Sequence, residues 1–326
     1  MDNSQIFENG HRLTLPDFSI QEKYVDKMIV YPPQGIEVQE WYNNFRLRFF
    51  EALDNNKKFP IFRSSHGEFC FVTGQMGSPF GFKNKIRFYL SRIYRILLFQ
   101  SSFYSSGVPG HGYETYKQWR LPSLRKKLAK QLKWISENGM LCMYFSDRAA
   151  FPISVQKKYI KWLNSNNIFL TNENYGHLYF VYALLNGSDQ QRIFTGRRLL
   201  VVSSDQPART QPLLDNLKKM GTNVVDFISI SPGKSMEDEL TFDNNKVYDL
   251  CIVGAGVGAA NVIYHLRDLS CPIIDAGFII DKIAYPDKVK SRIYTINDEQ
   301  WPTVFPNNDP EWGPIFSDKY SYTNLK

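Results

Sequence analysis

Residues 248–253 (Tyr-Asp-Leu-Cys-Ile-Val) run directly into Gly254-Ala255-Gly256-Val257-Gly258 and then into an apolar-periodic stretch over 259–269. A short apolar run, a glycine bend and a helical pattern form the repeating joint of a parallel sheet, and this feature limits the fold more than any other. Glycines at Gly254 and Gly256, with Ala259, let the main chain approach a ligand at the helix start. Backbone N–H groups and the helix dipole favour an anion there, above all a diphosphate. The same spacing also serves tight packing of a strand against a helix, and both readings stay open. Asp275 closes the next apolar run, 21 residues beyond Gly254 (275 − 254), where a carboxylate can bond a ribose hydroxyl.

The alternation extends upstream. An expected strand at 199–202 is followed by a helix at 211–220, which Gly221 suits as a terminator. A strand at 224–230 and a polar loop at 231–245 come next. Nearer the start, Trp41, Phe45, Phe49 and Leu53 recur at a spacing of four, which predicts a helix over 38–53. A strand at 59–63 then meets the polar turn at 64–68. Helices are expected at 83–101, 123–138, 154–164 and 176–185, with a buried strand at 140–145. The fold class that follows is α/β: a Rossmann-like open, mostly parallel sheet with helices on both faces. The expected organisation is an N-terminal arm over 1–36, the domain over 37–290 with a helical insertion around 83–138, and a C-terminal tail over 291–326 that contains Pro302, Pro306, Pro310 and Pro314.

Composition excludes several classes. The 43 % hydrophobic and 22 % charged fractions match an ordinary globular chain. No apolar run reaches the roughly 18–20 residues of a membrane span, and the opening residues lack a secretory pattern. The chain is therefore expected in the cytoplasm, with the inner face of the membrane as a peripheral station. Cys70, Cys142, Cys251 and Cys271 show no metal-ligand spacing and read as small buried apolar residues. A formal charge of +7 suits acidic partners, and in the absence of any nucleic-acid-binding signature a nucleotide or an anionic membrane surface ranks above DNA or RNA.

The polar turn after the strand at 59–63 carries the other candidate groups. Arg63 can neutralise a phosphate, since a guanidinium matches phosphate bidentately, and Arg209, just beyond Ser204, can do the same. Both also fit structural ion pairs. Glu68 is a candidate metal ligand or acceptor-orienting carboxylate, and His66 a ligand or proton relay. The competing reading makes Glu68 a helix N-terminal carboxylate held by backbone N–H groups.

In order along the chain, three segments resemble the GT-D glycosyltransferases, bacterial enzymes of surface-glycan and adhesin glycosylation. Phe62-Arg63-Ser64-Ser65-His66-Gly67-Glu68-Phe69 resembles that family's Arg-x-Gly-Asp-Gly-Glu segment. Leu200-Val201-Val202-Ser203-Ser204 through Arg209 is similar to its strand and Ser-Arg segment. Val253-Gly254-Ala255-Gly256 through Asp275-Ala276-Gly277 is similar to its late glycine turn, which ends in Ile-Asp-x-Gly. The resemblance implies transfer of a sugar from a nucleoside-diphosphate donor, a UDP-sugar first, to a glycan, lipid-linked glycan or protein acceptor. It implies Glu68 and His66 as catalytic and metal-binding positions for Mn²⁺ or Mg²⁺. It places Arg63, Ser204, Arg209, Gly254, Ala255, Gly256, Gly258 and Asp275 around the donor. The family's Asp-x-Glu pair is His66 and Glu68 here, which removes one hard oxygen ligand and favours Mn²⁺ over Mg²⁺.

Two further readings accompany this one. The glycine fingerprint with Asp275 also suits an NAD(P)-dependent oxidoreductase, although its late position weighs against that. The substitution at His66 and the departure over Phe278-Ile279-Ile280-Asp281-Lys282 suit a non-catalytic scaffold of a glycan-assembly complex. Lys83, Lys85, Arg87, Arg92 and Arg95 interleave with apolar residues in the helix expected at 83–101. Such a helix either lies on an anionic membrane or packs inward with a solvated basic face.

Overall fold

The computed structural model describes residues 3–13, 28–73, 118–147, 153–204, 207–231, 234–242 and 246–286, together with Leu90, Ile93, Tyr94 and Leu97. Most of the stretch expected as a helix at 83–101 and all of the tail at 291–326 lie outside the described residues.

The arm is built around two short antiparallel strands, β1 (His11–Arg12) and β2 (Ile29–Val30), with His11 opposite Val30. Leu13, Met28 and Val30 are buried, and the Phe7 ring contacts Tyr31 and Phe145 at 4.9 and 5.6 Å. The arm is thus packed onto the body of the protein by apolar contacts. Helix α1 (Val38–Asp54) follows, and its four-residue spacing buries Trp41, Phe45, Phe49 and Leu53.

Strand β3 (Phe59–Ser64) leads into helix α2 (His66–Thr73), as the competing reading of Glu68 as a helix N-terminal carboxylate requires and the reading of 64–68 as a polar turn does not. The helix can form because the Glu68 carboxylate turns back to accept the Ser65 N–H at 2.8 Å, satisfying a donor that a helix start leaves open. Helix α3 (Leu121–Asn138) precedes β4 (Met140–Met143), and α4 (Ile153–Ser165) precedes β5 (Tyr175–His177). The pattern at 176–185 reads as one helix, yet it begins as β5. The Tyr175 carbonyl accepts the Trp41 indole N–H at 2.9 Å. His177 Nδ1 then accepts the Tyr179 N–H at 3.3 Å and caps α5 (Leu178–Asn186), so the helix cannot start earlier.

The second half alternates regularly. Helix α6 (Gln190–Phe194) leads to β6 (Arg198–Ser204), α7 (Pro207–Lys219) and β7 (Val224–Ile230). Strand β8 (Leu250–Gly254), a 3-10 turn (Gly256–Gly258), α8 (Ala259–His265), β9 (Pro272–Asp275) and α9 (Ile279–Ala284) complete the described part. Gly221 follows α7 with φ of +87°, a left-handed conformation that costs glycine little.

Seven strands form one sheet in the order β5-β4-β3-β9-β8-β6-β7, and every pair is parallel. Strands β4, β8 and β9 are almost wholly buried, as continuous apolar runs in a sheet covered on both sides require. Helices α3 and α8 pack together against the central strands, and α1 and α5 cover the same strands from the other face. This is a Rossmann-like α/β architecture with helices on both faces. Cys142, Cys251 and Cys271 are buried and free among the apolar residues of the sheet.

Where α3 turns into β4, a Cβ added at Gly139 would overlap the Pro60 carbonyl of β3. Gly139→Ala is expected to cost about 1–3 kcal/mol in chemical denaturation, because backbone must move to admit the methyl group. A loss below about 0.5 kcal/mol would show that the α3–β4 corner is not tight.

Candidate functional site

In a sheet of parallel strands all C-terminal ends face one way, and loops that leave this edge build ligand sites. Here the edge presents Arg63 and Ser64 from β3, Ser203 and Ser204 from β6, Gly254 from β8 and Asp275 from β9. Most of the positions expected from sequence to surround a donor therefore come together at this edge. They divide into two groups with different work.

The first group is self-satisfied. Pairing between β3 and β9 ends at Ile61 opposite Ile274, and the Asp275 side chain takes over: its Oδ2 accepts the Arg63 N–H at 3.2 Å. The Arg63 guanidinium returns to Asp275, with Nη2 on Oδ1 at 3.2 Å and Nε on the main-chain carbonyl at 2.5 Å. Its Nη1 donates to the Tyr182 hydroxyl at 2.6 Å, and the charge lies 5.2 Å from that ring. The Gly277 N–H donates to Asp275 Oδ1 at 3.1 Å. Asp275 is only 3 % exposed, so its carboxylate faces protein donors and not a ribose. Burial raises the Asp275 carboxyl against the pull of Arg63, while Asp275 and Tyr182 hold the Arg63 guanidinium charged despite its own burial.

Glu68 lies in the first turn of α2, 5 % exposed. Burial pushes its carboxyl up to about 7, opposed by the Ser65 N–H; Asp275 adds to the rise and Arg63 counters it. Glu68 therefore combines the capping role with a proton that exchanges near neutral pH. His66 opens the same helix, and its side chain lies outside the described atoms. Ser64, buried beside this helix, donates to the Tyr159 hydroxyl at 2.9 Å.

The second group centres on Arg209, in the first turn of α7. Its Nη2 donates to Ser203 Oγ at 3.0 Å, Ser204 Oγ at 3.1 Å and the Ser204 carbonyl. Its Nη1 pairs with Asp281 Oδ1 at 3.2 Å. The Arg209 Nε–H is buried with no acceptor. A buried donor left unpaired costs about 1–3 kcal/mol, so an incoming oxygen atom has something to gain there. Ser203 Oγ also donates to the Gly254 carbonyl at 3.0 Å, tying the Arg209 cluster to the glycine bend.

The bend itself is closed at both ends and open in the middle. A Cβ at Gly254 would meet Ile280 Cδ1 at 2.5 Å and Ser203 Oγ at 3.2 Å, so this glycine serves packing. A Cβ at Gly258 would overlap Ser235, whose hydroxyl donates to the Ala255 carbonyl at 3.0 Å. Asn261 holds this segment through its Nδ2, which donates to the Ser235 and Asp238 carbonyls at 3.0 and 2.9 Å, while Gln131 donates to Asn261 Oδ1 at 2.9 Å. Gly256 is exposed, with φ of +53°. The Gly258 N–H is spent on the Ala255 carbonyl at 3.1 Å, whereas Gly256 and Val257 donate to nothing among the described residues. The Gly256 N–H thus lies at the exposed start of the 3-10 turn without an acceptor among the described residues, while Val257 is buried; α2 packs against that turn.

No family model matches the chain, and no curated protein matches it. A solved structure titled a selenomethionine-substituted domain of unknown function 1792 is similar over 76 % of this chain and 88 % of its own, at 15 % identity and a TM-score of 0.39.

The described donors do not suit a divalent cation. Mg²⁺ and Mn²⁺ need several oxygen or imidazole ligands converging at about 2 Å. Among the described residues no three His, Cys, Asp or Glu side chains gather in that way. The Asp275 carboxylate is committed to Arg63, and Glu68 is committed to Ser65 and driven toward its neutral form.

Sequence reading did not single out Ser203, Asp281 or Tyr182. Asp281 had a visible signal, the one carboxylate of a short helix that is otherwise apolar except for Lys282. Tyr182, within the apolar run of α5, had none beyond its type.

Two outcomes test this geometry. Asp275→Asn leaves the buried Arg63 charge without its partner and is expected to cost about 3–5 kcal/mol of stability. A loss under about 1 kcal/mol would place the pair in high-dielectric surroundings. Glu68 has a raised folded-state pKa, so its contribution is complete below its unfolded pKa of 4.5 and is lost as pH rises through about 7. Wild-type stability should fall across that window by up to about 3 kcal/mol relative to Glu68→Gln. Parallel pH profiles for the two proteins would remove Glu68 as the titrating group.

Proposed function

We propose that this chain is a glycosyltransferase that moves a sugar from a nucleoside-diphosphate donor, a UDP-sugar first, to a glycan, lipid-linked glycan or protein acceptor in surface-polysaccharide or glycoconjugate assembly. The observation that carries the reading is a convergence at one edge of the sheet. There the fold presents an arginine whose buried Nε–H has no acceptor among the described residues, the exposed Gly256, whose main-chain N–H has none either, and a carboxyl group that titrates near neutrality.

Sugar transfer breaks the bond from the anomeric carbon to the diphosphate oxygen and forms one to the acceptor oxygen, whose proton must leave. The departing diphosphate gathers negative charge, and preorganised N–H donors in a water-poor site stabilise it most effectively. Arg209 and the Gly256 amide have that role. Ser203, Ser204 and Asp281 hold the guanidinium in one orientation, so little ordering is left for the moment of reaction. Glu68, poised close to pH 7, receives the acceptor's proton. The Arg63–Asp275 pair keeps the ends of β3 and β9 together beneath these groups.

The oxidoreductase reading requires a carboxylate available to the ribose at the end of β9. Asp275 accepts from Arg63 and Gly277 and does not offer one, so the transferase reading is preferred.

The test is a thermal-shift panel of UDP, UDP-sugars, other nucleotide sugars, NAD⁺ and NADP⁺, followed by donor turnover. A UDP-sugar is expected to raise the melting temperature, with affinity falling about 10- to 100-fold in Arg209→Ala. Gly256→Val, which forces a branched side chain into a left-handed backbone, should abolish the shift. Glu68→Gln should retain binding and lose about 10²- to 10⁴-fold in transfer or donor hydrolysis. No shift with any nucleotide sugar, with or without Mn²⁺, ends the proposal; binding without turnover in the wild type points to the scaffold.

A further inference from the structure

Ser235 stands on the loop that leaves β7 and is buried. Its hydroxyl donates to the Ala255 carbonyl at 3.0 Å, and the Gly258 N–H reaches the same oxygen at 3.1 Å. The Ala255 carbonyl and the Gly256 N–H belong to one trans peptide plane, in which they point in opposite directions. Drawing the oxygen toward buried Ser235 therefore turns the Gly256 N–H away from it, at a residue that is itself exposed.

Backbone sterics alone do not fix this orientation. Ala255 has φ of −129° and ψ of 11°, and Gly256 has φ of +53°. Turning the plane over would carry Ala255 into the extended region and Gly256 to negative φ, both open to these residues. The hydrogen bonds on the Ala255 oxygen select one of the two states. Of the two donors, Ser235 is the one that comes from outside the bend.

Ser235 is itself held by buried amides. Asn261 interrupts the buried apolar residues Ala259, Ala260, Val262 and Ile263 at the start of α8. A buried amide costs stability unless its groups are paired, and both Asn261 donors go to the loop that carries Ser235, on the Ser235 and Asp238 carbonyls. Gln131 of α3 fills the Asn261 Oδ1. The loop is fixed further by Lys127, whose Nζ donates to the Met236 carbonyl at 2.9 Å, and by the ion pair of Arg120 with Glu237. Ser203 makes the matching contact one peptide earlier, donating to the Gly254 carbonyl while it accepts from Arg209. Two serines from separate elements thus pin successive carbonyls of the bend.

We propose that Ser235 is a positioning residue of the diphosphate site: it holds the Ala255–Gly256 peptide with the Gly256 N–H turned to the ligand, and Asn261, braced by Gln131, holds Ser235. This inference rests on the transferase reading of the bend.

The Gly256 amide signal in the NMR spectrum of the full chain, prepared with isotope-labelled glycine, reads the plane directly. It is followed without ligand and with UDP or inorganic pyrophosphate. In the wild type a single signal is expected, which moves when either ligand is added. Ser235→Ala should split or broaden that signal before any ligand is present and weaken both ligands about 3- to 10-fold, the worth of one hydrogen bond. Ser235→Cys, whose thiol donates weakly, should show the same pattern and carries the test if Ser235→Ala does not fold. A merely structural serine would lower the melting temperature and leave the Gly256 signal and both affinities unchanged, and that result overturns the inference. It is overturned alone, with the transferase reading intact, if UDP binds the wild type without moving Gly256. No response of the wild type to either ligand ends the transferase reading and this inference with it.

Discussion

A buried arginine and a buried aspartate, each able to remain charged only because of the other, hold the centre of this molecule together. Arg63 on β3 and Asp275 on β9 exchange contacts through side chain and main chain on both partners, at the point where the strand ladder between them has run out. The arrangement requires glycine at 277. Its backbone is left-handed, with φ of +50°, and the space a Cβ would occupy is filled by the Arg63 guanidinium. Removing two charges from water costs several kcal/mol each, and only dense pairing recovers it. The pair therefore fixes how β3, β9 and the start of α9 meet.

That commitment decides which groups remain for chemistry. Arg63 and Asp275 look like ligand-binding residues by type and position, but their hydrogen-bonding capacity is used internally. Arg209, on the other side of Gly254, instead keeps a buried Nε–H without an acceptor among the described residues. The Arg63 charge, already balanced by Asp275, only partly counters the effect of burial on Glu68, whose proton is held to about pH 7 as a result. One ion pair thus marks off a self-satisfied half of the strand edge from a half whose donors are not all satisfied among the described residues.

The parts legible in the sequence were those with a strong local period. The spacing in α1, the apolar runs of β6 to β9 and the glycine after α7 each state their structure within a dozen residues. Strand β5 was not legible, because it is decided by a distant contact, Trp41 on the Tyr175 carbonyl, whereas the start of helix α2 was legible only as the competing reading of Glu68, which folds back on Ser65. At the candidate site, residue types pointed to one edge of the sheet, since Arg63, Glu68, Arg209, Gly254 and Asp275 all reach it. What they could not show was pairing. An arginine at the end of a strand reads the same whether its partner is a phosphate or an aspartate 212 residues away. Likewise a glycine reads the same whether it admits a ligand, as exposed Gly256 can, or Ser235, as Gly258 does.

The strand order also governs how the chain comes together in time. Strand β9 lies between β3 and β8, so the last strand of the sheet to be synthesised is the keystone that joins two earlier blocks, β5-β4-β3 and β8-β6-β7. Until it inserts, β3 and β8 each present a bare, apolar edge, the kind of surface that recruits foreign strands. Pairing β9 with β8 is local, but pairing it with β3 brings Phe59 to Pro272, and closing so long a loop makes that step slow. The nascent protein is most vulnerable to misassembly in that interval, after its two blocks have formed and before residues 272–275 have locked them together.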